Sequence, residues 1–299
     1  MLIEKSVPLA NRTTIKIGGI APLFCEVLNV SELTEIFRYI DDYGLSPFVL
    51  GNGSNTLICS LPRNAVVLQM VNRKTQVVGD RMYAHAGCYL PRLAALSLSS
   101  CLSGLEWAVN VPGSLGGSIV MNAGAFGMEM IDILESVVLM NYSGQIHILN
   151  RNQIDAGHRW TDIDPSECIV LGAIIKLVPS DRDKIRSVMD RNRAHRRKTQ
   201  PTGKNLGSTF RRHYDVVNNR WISAGYLIDQ CGLKGAISGG AQISDVHANF
   251  IQNNEGATCA DVLSLMKQAR DEVYNRFNYI LKPEIHIWAS ESDLAMYGF

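Results

Sequence analysis

The spacing of apolar residues marks out the elements first. Leu33, Ile36, Phe37 and Ile40 recur at helical intervals after Ser31, with Gly44 beyond them, so residues 31–43 read as an amphipathic helix opened by Ser31 and stopped by Gly44. Val262, Met266, Ala269, Val273 and Phe277 repeat the pattern behind Thr258 and Asp261, a capping-box start. Further helices are expected at 90–101 and at 224–231, the second stopped by Gly232. A polar helix spans 181–198. Short β-prone runs fall at 13–17, 48–50, 65–70, 75–78, 82–86, 169–178 and 283–288. The runs 137–142 and 145–149 flank Ser143-Gly144 and form a hairpin. Strands and helices mix without regular alternation, so the class is α+β.

Between these elements lie glycine-rich stretches. Residues 111–127 hold Gly113, Gly116, Gly117, Gly124 and Gly127 among small and apolar neighbours. Such a loop lets backbone N–H groups approach an anion closely, as in a phosphate cradle, and it equally describes tight buried turns. A second candidate is Gly51-Asn52-Gly53-Ser54-Asn55, fed by the strand at 48–50; it lacks the third glycine and following helix of a dinucleotide fingerprint.

Composition narrows the classes. The 299 residues are 46% hydrophobic and 19% charged with net charge +1, which suits a globular chain of two or three domains. Near-neutrality argues against nucleic acid as the main partner, and no segment reaches membrane-span length. The N-terminus lacks the long apolar stretch of a signal peptide, so a cytoplasmic location is expected. Seven scattered cysteines form no Cys-x-x-Cys pair, so they read as reduced thiols and no metal site is indicated. The arginines of the polar helix read as a solvated cationic face, or as an anion-binding patch.

Seven runs, in order, resemble one family, the UDP-N-acetylenolpyruvoylglucosamine reductases. They are Asn11 to Gly19, Leu50 to Asn55, Val111 to Gly127, Gly207-Ser208-Thr209-Phe210, Leu227-Ile228 with Gly232-Leu233-Lys234-Gly235, Gly239 to Ser244 with His247-Ala248-Asn249-Phe250, and Pro283-Glu284-Ile285. The resemblance implies a vanillyl-alcohol-oxidase-type FAD-binding fold: two α+β FAD subdomains, 1–66 (joined by the C-terminal strand at about 283–299) and 67–200, and a substrate domain, 201–282. It implies non-covalent FAD, NADPH as hydride source, a UDP-sugar enolpyruvyl ether as substrate, and a monomer or weak oligomer.

By the same resemblance, Leu50, Gly51, Asn52, Gly53, Ser54 and Asn55 hold the flavin pyrophosphate with Pro112, Gly113, Ser114, Gly116, Gly117, Asn122, Ala123 and Gly124. Arg159 matches the catalytic arginine, Ser208 the proton-donating serine, and Glu284 the carboxylate that assists Arg159. Gln242 and His247 are expected to line the substrate site. The chain departs from the family's pattern at His158, commonly Tyr, and at Arg211-Arg212-His213, commonly Lys-Asn-Pro; Arg211 or Arg212 then becomes a candidate for the UDP diphosphate. The short stretch between Arg159 and Ser208 points to the second subtype, which lacks a tyrosine-bearing loop. Two other readings are a flavin oxidase of the same fold and a nucleotide or nucleic-acid binder using the basic helix; the latter leaves the glycine runs unexplained.

Overall fold

A computed structural model describes residues 3–215 and 219–299. The chain separates into two compact units, each built from discontinuous segments.

The first unit holds Ala21–Asn52 and Arg63–Arg196 with the N-terminal residues up to Val7. One of its sheets has the strand order Glu4–Pro8, Ile20–Val27, Ala65–Met70, Ser46–Val49, the last three pairing in parallel. The helix Val30–Asp42 lays Leu33, Ile36, Phe37 and Ile40 against Cys25, Val27, Val66 and Leu68. Burying each of those helix side chains contributes about 1.5–3 kcal/mol. Its cap is Asn29, whose side chain accepts from Glu32 N at 2.9 Å, and not Ser31 as expected. Asn wins because the extended backbone that a cap requires falls one turn before Leu33. An expected boundary at residue 66 would cut the strand Ala65–Met70, so the first sheet runs past it.

The second sheet of this unit is antiparallel: Ile146–Asn150, Leu134–Asn141, Cys168–Lys176, Arg81–His85, Thr75–Val78. The hairpin around Ser143-Gly144 forms as expected, with Gly144 at φ 84°. A separate core, centred on the fully buried Trp107, covers this sheet. The polar helix Arg182–Thr199 buries Ile185, Met189 and Asn192.

The second unit takes residues 8–20 and 53–62 into the C-terminal half, Arg197–Phe299. Ile15, Ile17 and Leu57 enter one core with Leu227, Ile228, Val262, Met266 and Val273. The helix Cys259–Phe277 starts on the expected capping box of Thr258 and Asp261. The strand Thr56–Ile58 pairs in parallel with His286–Trp288.

Two expectations fail here. Residues 13–17 form no strand: a turn of 3-10 helix at Ala10–Arg12 leads into bends with Lys16 at φ 60°, because burying Ile15 and Ile17 outweighs their β-propensity. The cysteines are not all free thiols either, since Cys59 and Cys259 form a disulfide with Cα atoms 5.3 Å apart. Their separation of 200 residues hides the pair from any spacing rule.

Candidate active site

The two glycine stretches meet in the first unit. Asn52 Nδ2 donates to Pro112 O at 2.9 Å, and a Cβ on Gly51 would lie 2.8 Å from Ser114 Oγ and 3.8 Å from Gly117 Cα. Leu50 is buried, its N–H on Leu68 O, which fixes where the loop leaves the sheet. Residues 111–127 are more than a loop, because they contain the helix Leu115–Val120 with Ser114 at its N-cap. Ser118 Oγ and Ser118 N both donate to Ser114 O, and a Cβ on Gly113 would crowd Ser118 Oγ at 2.9 Å. Leu115 N and Gly116 N are taken by Cys88 O and Ala86 O, and Ala123 N by Ser118 O. The N–H groups of Gly117 and of Gly51 and Asn52 have no acceptor among the described residues, and neither do those of Gly53, Ser54 and Asn55 in the second unit. Backbone donors without acceptors are what a diphosphate needs, so Gly51, Asn52 and Gly117, which lie together in the first unit, fit a flavin pyrophosphate.

Gly53 has φ 59°, and a Cβ there would fall 2.1 Å from Arg12 O, so only glycine fits. Gly124 is equally tight: its Cβ would meet Met128 O at 2.4 Å across the hairpin Gly124–Ala125 and Met128–Glu129. Asn122 differs from the expected flavin contact. Its buried amide donates to Glu129 Oε2 (2.8 Å) and Gly157 O (3.0 Å) and accepts from Ile131 N (3.0 Å), which leaves no amide hydrogen for a ligand.

Arg159 is the second residue of a tight turn joining Ala156–Gly157 to Trp160–Thr161. Its φ of 64° is a conformation that L residues adopt at a cost of about 1–2 kcal/mol. Thr161 Oγ1 donates to Val120 O at 3.0 Å and ties this hairpin to the glycine-run helix. Burial, and then the charge of Arg159, hold the Arg196 guanidinium below its ordinary pKa, so two cations share this end of the first unit.

Ser208 and Glu284 lie in the second unit. Glu284 N donates to Thr209 O (2.8 Å) and Arg211 N to Lys282 O (2.9 Å), around a Phe210–Pro283 bridge. Glu284 is therefore paired with Thr209, the residue that follows Ser208. Asn249, which sequence reasoning passed over, clamps this segment: its side chain accepts from Phe210 N (3.0 Å) and donates to Phe210 O (2.8 Å). Asn55 fixes the other side, with Nδ2 on Glu284 O (3.1 Å) and its own O on His286 N (2.8 Å).

Among the remaining candidates, Arg211 keeps a buried Nε with no hydrogen-bond partner among the described residues, as expected of a cation awaiting an anion. Gln242 spends its amide on Asp245 and Asn254. His247 Nδ1 accepts from Asn249 N at 3.2 Å, which leaves the proton on Nε2; burial first, and then Lys234, lower its pKa. No cluster of three or more His, Cys, Asp or Glu suited to a metal occurs among the described residues.

Comparison with known proteins agrees with this geometry. A model described as FAD binding domain matches residues 21–150, and one described as UDP-N-acetylenolpyruvoylglucosamine reductase, C-terminal domain, matches 199–288. The curated reductase of Synechococcus sp. (strain JA-3-3Ab) is 36% identical over 97% of this chain and 93% of its own length. This chain belongs to the UDP-N-acetylenolpyruvoylglucosamine reductase family. The reductase of Chloroherpeton thalassium is 37% identical, covering 95% of this chain and 93% of the relative. The crystal structure of the Thermus caldophilus reductase superposes with a TM-score of 0.82 at 31% identity, over 97% of this chain and all of that one. As a member of the family, the chain is an FAD-dependent oxidoreductase of α+β fold acting on a small-molecule UDP-sugar. No helix among the described residues is long and apolar enough to cross a membrane.

Proposed function

We propose that the chain uses NADPH to reduce the enolpyruvyl ether of UDP-N-acetylenolpyruvoylglucosamine to UDP-N-acetylmuramate, in the cytoplasm and in the service of peptidoglycan precursor synthesis. FAD, when bound, supplies a hydride acceptor for NADPH and a hydride donor for the β-carbon of the enolpyruvyl group. The glycine loops hold its pyrophosphate through the N–H groups of Gly51 to Asn55 and Gly117. Division into two flavin subdomains and a substrate domain goes with this reading.

Addition of hydride at the β-carbon leaves a carbanion at the α-carbon, with its charge spread onto the carboxylate. Arg159, permanently charged and forked, is the group for that carboxylate. Ser208 gives its hydroxyl proton to the α-carbon; a hydroxyl is a weak acid, but a carbanion is a strong base and water restores the proton. Glu284 works with Arg159 in holding the developing charge. Arg211, whose buried Nε has no partner among the described residues, takes an anionic group of the UDP-sugar, and His247 and Gln242 line the substrate site. The observation that carries the reading is the Glu284 N–Thr209 O hydrogen bond, which holds Glu284 beside the residue that follows Ser208.

Stopped-flow kinetics of Ser208→Ala test it. Reduction of the flavin by NADPH should stay near the wild-type rate, while reoxidation by the enolpyruvyl substrate slows by about 10²–10⁴-fold. Equal slowing of both half-reactions would overturn Ser208 as the acid.

A further inference from the structure

Glu129 has no part in the reaction as described above, yet it is the anchor of the Arg159 turn. It sits on the second strand of the hairpin turned by Phe126 and Gly127, at φ 56° and 82°. Its two carboxylate oxygens reach different partners. Oε2 accepts from Asn122 Nδ2 at 2.8 Å, and Oε1 faces His158 Nδ1 at 3.4 Å. The other hydrogen of the Asn122 amide goes to Gly157 O at 3.0 Å. Gly157 and His158 are the two residues before Arg159, so two lines of hydrogen bonds run from one carboxylate to one turn. Ile131 N on Asn122 Oδ1 stops that amide from flipping. A Cβ on Gly157 would meet the Trp160 ring at 2.3 Å, so the first strand of the turn runs close under that ring and takes no side chain there.

A left-handed arginine persists only where its surroundings over-determine it. Here those surroundings are Glu129, Asn122 and Thr161. We propose that Glu129 is a positioning residue for the hydride-accepting half of the reaction. It acts through Asn122 and His158 to hold the turn that aims the Arg159 guanidinium at the substrate carboxylate. The proposal rests on reading Arg159 as the charge-stabilising group. It assigns His158 a function as well: the imidazole hands the orientation of Glu129 to the residue next to Arg159.

The test compares Arg159→Ala, Glu129→Ala and Glu129→Gln in the flavin-loaded enzyme, with flavin content, the two half-reactions and KM measured for each. Glu129→Ala should keep its flavin and its rate of reduction by NADPH. Its reoxidation by substrate should fall by about 10²-fold, the cost of a guanidinium displaced by about an ångström, with KM little changed. Glu129→Gln is isosteric and can still accept from Asn122 through oxygen while offering N–H to His158, so it should recover to within about tenfold of wild type. Slow reoxidation in Arg159→Ala but wild-type reoxidation in Glu129→Ala would overturn the proposal and leave the role of Arg159 intact. So would equal loss of both half-reactions in Glu129→Ala, or no recovery in Glu129→Gln. Normal reoxidation in Arg159→Ala would overturn the reading on which the proposal rests.

Discussion

Asn122, Phe126 and Arg159 all have positive φ without being glycine, and all three belong to the glycine run or to the turn tied to it. Strain gathered this way is retained where a site must be rigid. The glycines around it are fixed by close approach. Gly53→Ala would force a methyl onto Arg12 O and a side chain into the left-handed region, so the purified variant should carry little FAD and unfold at lower temperature; full flavin content would contradict this. His247 makes a second prediction. Its pKa is lowered in the folded protein, chiefly by burial, so the unfolded chain takes up the proton first. Its contribution is therefore fully present above the ordinary histidine pKa, about 6.5, and is lost as pH falls through the folded value. Thermal melts should be flat near neutrality and decline below about pH 6.5, and His247→Gln should shrink the decline. Arg159, Ser208 and Glu284 enter as candidates through the motifs around them. Asn249 and Glu129 were not, because their partners lie 39, 7 and 29 residues away and an isolated Asn or Glu has no pattern.

The elements with a strong period were the readable ones. Helix Cys259–Phe277 carries both its cap and its buried stripe in the sequence, and Thr258→Ala should cost about 1 kcal/mol, a fall of a few degrees in Tm by calorimetry. Helix Leu115–Val120 was hidden: six residues rich in glycine look like a loop, and the segment is helical because Leu115 and Ile119 are buried and Ser118 bonds back to Ser114. Strand Thr56–Ile58 was hidden too, since its partner His286–Trp288 lies at the far end of the chain. Just after this strand, Cys59 is bound to Cys259 at the start of the helix. A cross-link spanning 200 residues constrains the unfolded chain strongly, and losing one typically costs about 2–5 kcal/mol. Dithiothreitol should lower Tm by several degrees and raise the thiol count on denaturation from the five free cysteines to all seven.

At the scale of the molecule, local periodicity is silent about which segments share a core. Residues 8–20 and 53–62 join the C-terminal unit because Ile15, Ile17 and Leu57 fill a core whose other walls are helices more than 160 residues further along. The glycine loop at 51–55 consequently begins in one unit and ends in the other, with backbone donors on both parts. On the reading proposed above the flavin is bound non-covalently, so acid or heat denaturation should release all yellow colour from the chain. One anaerobic titration tests the central claim most directly. NADPH should bleach the absorbance of the bound flavin, and UDP-N-acetylenolpyruvoylglucosamine, added without oxygen, should restore it with one equivalent of UDP-N-acetylmuramate formed. A flavin that NADPH leaves oxidised, or that stays bleached when the substrate is added, would contradict it.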